Sequence, residues 1–164
     1  MPTSGAERVS RLVFDTSAYS HFRRGHAGVL DALARAERVL IPMTVLGELE
    51  AAFELGSRAR DNRRVLDDFL AEPFVDLLDT TASVARHYGR VFSTLKRAGT
   101  PLPVNDVWIA AATIDCGGTL LTFDRDFERI SGMDVMPLMP ATSDPPSNVR
   151  AWNQCGPRYA VYQE

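Results

Sequence analysis

The chain has 164 residues, 45% of them hydrophobic, with 18 Lys and Arg against 21 Asp and Glu for a net charge of -3. That length and apolar content fit one globular core, and the mild negative charge excludes a broadly basic nucleic-acid coat while leaving a local basic surface open. Cys116 and Cys155 are too few for a disulfide framework or a structural zinc site and are expected as plain thiols; no stretch reaches the roughly 18 apolar residues that cross a bilayer, so the cytoplasm is the expected location.

In chain order, the run 11–14 (RLVF) is too short for a helix and predicts a buried strand, followed by DTS as a turn or helix start. Helical spacing of Val29, Leu30 and Leu33 predicts a helix over 26–37, and RVLIP at 38–42 a second strand stopped by Pro42. Thr44 is the expected cap of a helix that carries Leu46, Leu49, Ala52 and Phe53 and stops at Gly56. An Arg-rich helix over 57–71 precedes a third strand at 74–78. The long helix of 80–99 sets Val84, Tyr88, Val91, Phe92 and Leu95 on one side and ends at Gly99. After the PLP turn come a helix over 105–116, a fourth strand in TLLTF, a short helix and a last strand in MDVMPL. Alternating strands and helices predict an α/β fold, a three-layer α/β/α sandwich around a mostly parallel sheet.

Four acidic residues occupy comparable places in this pattern. Asp15 follows the first strand, Asp124 lies just beyond the fourth, Glu48 is in the first turns of the helix after strand two, and Asp106 opens the helix leading to strand four. In a parallel sheet the crossover helices begin at the edge where strands end, so all four positions are steered to one rim. Singly they read as turn, cap or solvated helix residues, and Glu50 or Glu54 could stand in for Glu48. Together they repel: two unit charges about 5 Å apart interact by roughly 3 kcal/mol at an effective dielectric of about 20. Helix N-termini offset part of that. A hard divalent ion offsets more, and oxygen-only ligands favour Mg2+ or Mn2+, which polarise a phosphoryl oxygen and activate water for in-line attack.

The words LVFDTSAY with Asp15 and Ser17, IPMTVLGELE with Glu48, PVNDVWIAAATI with Asp106, and LLTFDRDFERI with Thr122, Asp124 and Phe127 resemble the PIN-domain nucleases, specifically the VapC-type toxins of bacterial toxin–antitoxin pairs. The likeness spans about 11–138, and residues 1–139 are expected to form the nuclease domain. The resemblance implies that Asp15, Glu48, Asp106 and Asp124 hold one or two Mg2+ or Mn2+ ions in a metal-dependent endoribonuclease that leaves a 5′-phosphate and a 3′-hydroxyl. It implies that Ser17 or Thr16 supports the first carboxylate or a bound water, that Thr122 orders the turn before Asp124, and that Asn105 caps its helix. Asp126 is either an outer-shell ligand or a salt-bridging residue. The implied partners are an RNA substrate, a second copy of the chain in a homodimer, and a cognate antitoxin seated near the helices of 44–71, where Phe53, Leu55, Val65, Leu66 and Phe69 serve either as an apolar seat or as core. Gly47 departs from good helix formers and costs on the order of 1 kcal/mol against Ala.

Candidate RNA contacts are Arg23, Arg24, Arg58, Arg60, Arg63, Arg64, Arg125 and Arg129, which would neutralise phosphates without reading sequence. The extension of 140–164 is rich in Pro, Ser and Asn and fits a flexible tail, whereas Trp152, Tyr159, Val161 and Tyr162 fit a segment packed on the domain or a partner. Three rivals stand beside the metal nuclease. A phosphoaspartyl phosphatase wants a second Asp where Ser17 stands. A histidine ribonuclease needs two imidazoles poised as acid and base, yet His21, His26 and His87 are expected in surface or packing roles. A catalytically silent module of the same fold, holding RNA or protein in its groove, is the non-enzyme alternative.

Overall fold

The computed structural model describes residues 8–140. Cys155, Trp152, Tyr159, Val161 and Tyr162, and with them the role of the extension, lie outside the described residues.

Five strands, β1 (Val9–Phe14), β2 (Ala36–Pro42), β3 (Val75–Leu78), β4 (Thr119–Thr122) and β5 (Asp134–Pro137), form one sheet in the order β3-β2-β1-β4-β5. Every neighbouring pair is parallel, so the sheet expected to be mostly parallel is wholly so. Six helices, α1 (Thr16–Arg23), α2 (Ala27–Arg35), α3 (Met43–Leu55), α4 (Ala59–Leu70), α5 (Ala82–Arg97) and α6 (Val104–Cys116), connect the strands, and a 3-10 helix, Arg125–Arg129, joins β4 to β5. This is the three-layer α/β/α arrangement that the alternating pattern predicts.

The chain steps outward from β1 to β2 to β3, then returns through α5 and α6 to place β4 on the other side of β1. Right-handed crossovers in opposite directions cover opposite faces of a sheet, and the reversal leaves a crevice at the carboxyl ends of the two strands that flank it. Here those strands are β1 and β4. Leu12, Val13 and Phe14 of β1 and Val39, Leu40 and Ile41 of β2 are buried without alternation, as expected of strands covered on both faces. Exposed residues begin each of these strands, so burial deepens toward the rim where the crevice opens.

Under α1 and α4 the core is aromatic: Phe14 stacks on Phe69 at 6.2 Å, and Tyr19 and Phe22 lie within 5.8 and 4.9 Å of the same ring. Phe53, Leu66 and Phe69 are core residues, whereas Leu55 is 91% exposed. Between α5 and α6, the small side chains of Ala111 and Ala112 face Val84, and Tyr88 stacks on Trp108 at 4.2 Å. Phe92 departs from expectation, standing 40% exposed against Tyr88 at the edge of this contact.

Two helix starts differ from the sequence reading. Thr44 lies inside α3, whose N-cap is Pro42 with no side-chain cap; the proline ring already holds φ at -60°, and the strand end leads directly into the helix. Likewise α6 is entered from Pro103, which frees Asn105 from capping. At the far end of α6, Gly117 takes φ +62°, a left-handed stop that suits glycine. Gly118 is then pressed against β1, where an added Cβ would meet Val13 Cγ2 at 2.8 Å.

Candidate active site

At the crevice lies a cleft of about 290 Å³ lined by Asp15, Thr16, Ser17, Glu48, Asp106, Ile109, Asp124 and Phe127. The four acids thus reach one cleft from four segments. Asp15 is the N-cap of α1, directly after β1; Asp124 is the N-cap of the 3-10 helix after β4; Asp106 is in the first turn of α6; Glu48 is in the second turn of α3. No Lys or Arg is among the lining residues.

Asp15 is 5% exposed and held by neutral donors. Its carboxylate accepts from the Ala18 amide at 2.6 Å, from Ser17 Oγ at 2.7 Å and from Thr122 Oγ1 at 2.5 Å. Both hydroxyls are themselves acceptors, Ser17 Oγ from the Phe123 amide at 3.1 Å and Thr122 Oγ1 from the Asp124 amide at 2.9 Å. Two backbone N–H groups of the turn after β4 are therefore passed through hydroxyls onto the carboxylate after β1. Burial pushes the Asp15 carboxyl up, the bonds from Thr122, Ala18 and Ser17 pull it back, and the Asp124 charge pushes it up again. Burial prevails.

Thr16, one residue before Ser17, serves a different acid. Its hydroxyl donates to Glu48 Oε2, while Asn105 Nδ2 donates to Glu48 Oε1 at 2.9 Å. Of the alternatives Ser17 and Thr16, it is Ser17 that bonds the first carboxylate, while the Thr16 hydroxyl bonds Glu48. Asn105 is likewise reassigned from helix cap to carboxylate partner. Thr122 orders the turn before Asp124 and reaches Asp15 as well.

Asp106 is raised to about 6, first by burial and then by the charges of Asp124, Glu48, Asp15 and Asp126. Asp124 accepts from the Asp126 amide at 2.8 Å, and Asp126 pairs with Arg129 at 2.8 Å. Asp126 thus makes a salt bridge, and its charge also acts on Asp106.

Ile109 and Phe127 supply apolar wall; Phe127 belongs to the motif read from the sequence, whereas Ile109 was not singled out. Ile109 could have been found, since it stands one turn on from Asp106 and shares its helix face. The amides of Phe123 and Asp124 carry no side-chain signal at all. Several basic candidates are engaged elsewhere: Arg63 with Glu50 at 2.6 Å and Glu54 at 2.8 Å, Arg125 with Glu128 at 3.6 Å, and Arg129 with Asp126. The histidines do not line the cleft. His21 stacks on Phe123 at 3.7 Å, His26 Nε2 is 3.0 Å from the Met139 carbonyl, and His87 is 3.7 Å from Asp115.

Among the described residues no three acids, histidines or cysteines stand close enough to grip a metal ion as they are placed. Oxygens of Asp15 and Glu48 are engaged by protein donors, each with acceptor capacity left over. The chemistry of the set nevertheless suits a hard cation. It offers oxygens only and holds no counter-charge, and the Asp106 carboxyl is raised first by burial and then by the charges of its acidic neighbours.

A family model described as PIN domain matches residues 12–133. Among curated proteins, the chain is 29% identical over 105 residues to "Ribonuclease VapC2" of Rickettsia felis, covering 63% of this chain and 77% of that protein. It is 30% identical over 97 residues to "tRNA(fMet)-specific endonuclease VapC" of Shigella flexneri, covering 58% and 72%. Among solved structures, VapBC2 from Rickettsia felis, bound to a DNA fragment from its promoter, superposes with a TM-score of 0.70 at 22% identity, over 78% of this chain and 98% of that one.

Proposed function

Since the chain belongs to the PIN-domain family, we propose that it is a Mg2+- or Mn2+-dependent endoribonuclease, the toxin of a toxin–antitoxin pair, with Asp15, Glu48, Asp106 and Asp124 as its metal-holding acids. The observation that carries this reading is four carboxylates facing one cleft with no cation among its walls. A bound divalent ion supplies polarisation of a phosphoryl oxygen and acidification of water. Asp15, buried and fixed by Ser17, Thr122 and the Ala18 amide, is the rigid anchor of the set. Glu48 is steadied from two sides by Thr16 and Asn105. Asp106, half-buried and raised to about 6 by burial and by its acidic neighbours, is an acid whose charged form a cation would favour. Ile109 and Phe127 keep one wall of the cleft apolar, which limits competing water.

The substrate of this reading is RNA, in keeping with the ribonuclease relatives. A cognate antitoxin and a homodimer belong to the same proposal; a VapBC pair is what the similar Rickettsia structure contains.

The test is cleavage of a panel of structured RNAs by purified protein in EDTA and after addition of Mg2+ or Mn2+. Cleavage only with the ion, products ending in 5′-phosphate and 3′-hydroxyl, and loss of activity in Asp106→Asn are expected. Activity that persists in EDTA, or cyclic phosphate ends, would replace the acids with another mechanism. A folded protein that binds RNA or a partner yet cuts nothing under any ion would make it a silent module.

A further inference from the structure

Building on the metal-dependent reading above, we infer that Asn105 is a positioning residue: its side-chain amide holds Glu48 in the cleft, facing the neighbouring Asp106, and so sets the geometry in which a divalent ion is received. Asn is among the preferred helix N-caps, yet α6 starts from Pro103 and leaves the Asn105 side chain unused by its own helix. That side chain instead donates to Glu48 Oε1 at 2.9 Å, across 57 residues of sequence. The orientation of the amide is unambiguous, because a carboxylate offers only acceptors and the nitrogen must face it.

The other Glu48 oxygen is taken by Thr16, so a carboxylate on α3 is tied to α6 by one oxygen and to α1 by the other. Left alone, a partly exposed glutamate beside three aspartates would rotate toward solvent to escape their charge. Each oxygen spends one acceptor position on its donor and retains another for the cleft. The donors are a hydroxyl and an amide, both neutral. A Lys or Arg in place of Asn105 would hold Glu48 as firmly but would cancel the negative charge that attracts a cation. Because Asn105 and Asp106 are consecutive in one helical turn, the bond from Asn105 also fixes where Glu48 stands relative to Asp106.

The experiment is Mn2+ titration calorimetry on the full chain, with thermal melts of the same samples in EDTA, for the wild type, Asn105→Ala, Asn105→Gln and Asp106→Asn. Loss of a partner that orients a metal ligand weakens metal binding by about 10- to 100-fold, so Asn105→Ala is expected to bind Mn2+ at least about tenfold more weakly. Its melting temperature in EDTA stays within about 2 °C of wild type, as for an exposed residue that caps nothing. Asn105→Gln, which keeps the amide, is expected to stay within about threefold of wild type. If Asn105→Ala binds like wild type while Asp106→Asn does not, the positioning role fails and the metal reading stands. A fall in affinity matched by a large fall in melting temperature, or a Gln variant as weak as the Ala variant, also overturns the role. If the wild type takes up no Mn2+, both fail together.

Discussion

Asp106→Asn separates the stability of the empty cleft from its chemistry, because the change removes a charge while keeping shape. The Asp106 carboxyl is raised from 3.8 to about 6 by burial and by the four neighbouring acids. A group raised in the fold favours the folded state when protonated: its contribution is fully present below pH 3.8 and is lost as pH rises through 6. At pH 7.5 without metal, the charged carboxylate therefore strains the fold. The full displacement corresponds to about 3 kcal/mol, but the group is only half-buried, and solvent screening reduces the expected strain to about 1 kcal/mol. In EDTA at pH 7.5, Asp106→Asn should be the more stable protein by about that amount, or about 3 °C in melting temperature. At pH 4 the advantage should nearly vanish, since the wild-type carboxyl is then largely neutral. Comparing variant with wild type at each pH cancels the titration of groups that are not coupled to Asp106. In the RNA assay with Mg2+ or Mn2+ the same variant should lose more than about a hundredfold in rate, beyond the usual cost of removing an outer partner of a metal ligand. A variant less stable than wild type at pH 7.5, or one whose advantage is the same at pH 4, would refute the idea that burial and the neighbouring acids hold the Asp106 carboxyl high.

Mn2+ uptake should weaken about tenfold between pH 7.5 and pH 5, because a ligand carboxyl raised to about 6 must shed its proton to bind; calorimetry showing no change over that range would remove Asp106 from the binding set. Thr122→Val keeps the volume of a fully buried side chain but strips the hydroxyl that joins the Asp124 amide to Asp15. Urea unfolding should show a loss of about 1–3 kcal/mol, the cost of leaving such buried groups unpaired, and a neutral result would mean the hydroxyl is dispensable. Gly118→Ala places a methyl 2.8 Å from Val13 Cγ2 and 3.1 Å from the Arg11 carbonyl. A destabilisation of about 1–3 kcal/mol is expected by the same method, and a change too small to measure would show that β1 yields at no cost.

Most of the architecture was legible because burial periodicity and chain-breaking residues are local signals. Leu12 to Phe14, Val39 to Ile41 and the Gly117 stop are read from neighbours in sequence, and the helix of Val84, Val91 and Leu95 from its spacing alone. Errors fell at helix starts. Proline at 42 and 103 takes the place that Thr44 and Asn105 were expected to fill, since a fixed φ initiates a helix without a side-chain acceptor. Phe92 was assigned inward by spacing, but α5 covers α6 with a narrower stripe than the sequence offers.

By itself the sequence determined which residue types stand at the end of each strand and the start of each helix, and the parallel alternation of elements sends those positions to one rim. Only the folded chain decided which donor serves which acid. Thr16 and Ser17 are adjacent, yet successive residues on a helix point about 100° apart, so one hydroxyl meets Glu48 on α3 and the other meets Asp15. Pairing across 57 residues, as for Asn105 with Glu48, or 107, as for Thr122 with Asp15, depends on how helices seat against the sheet, and no local pattern encodes it.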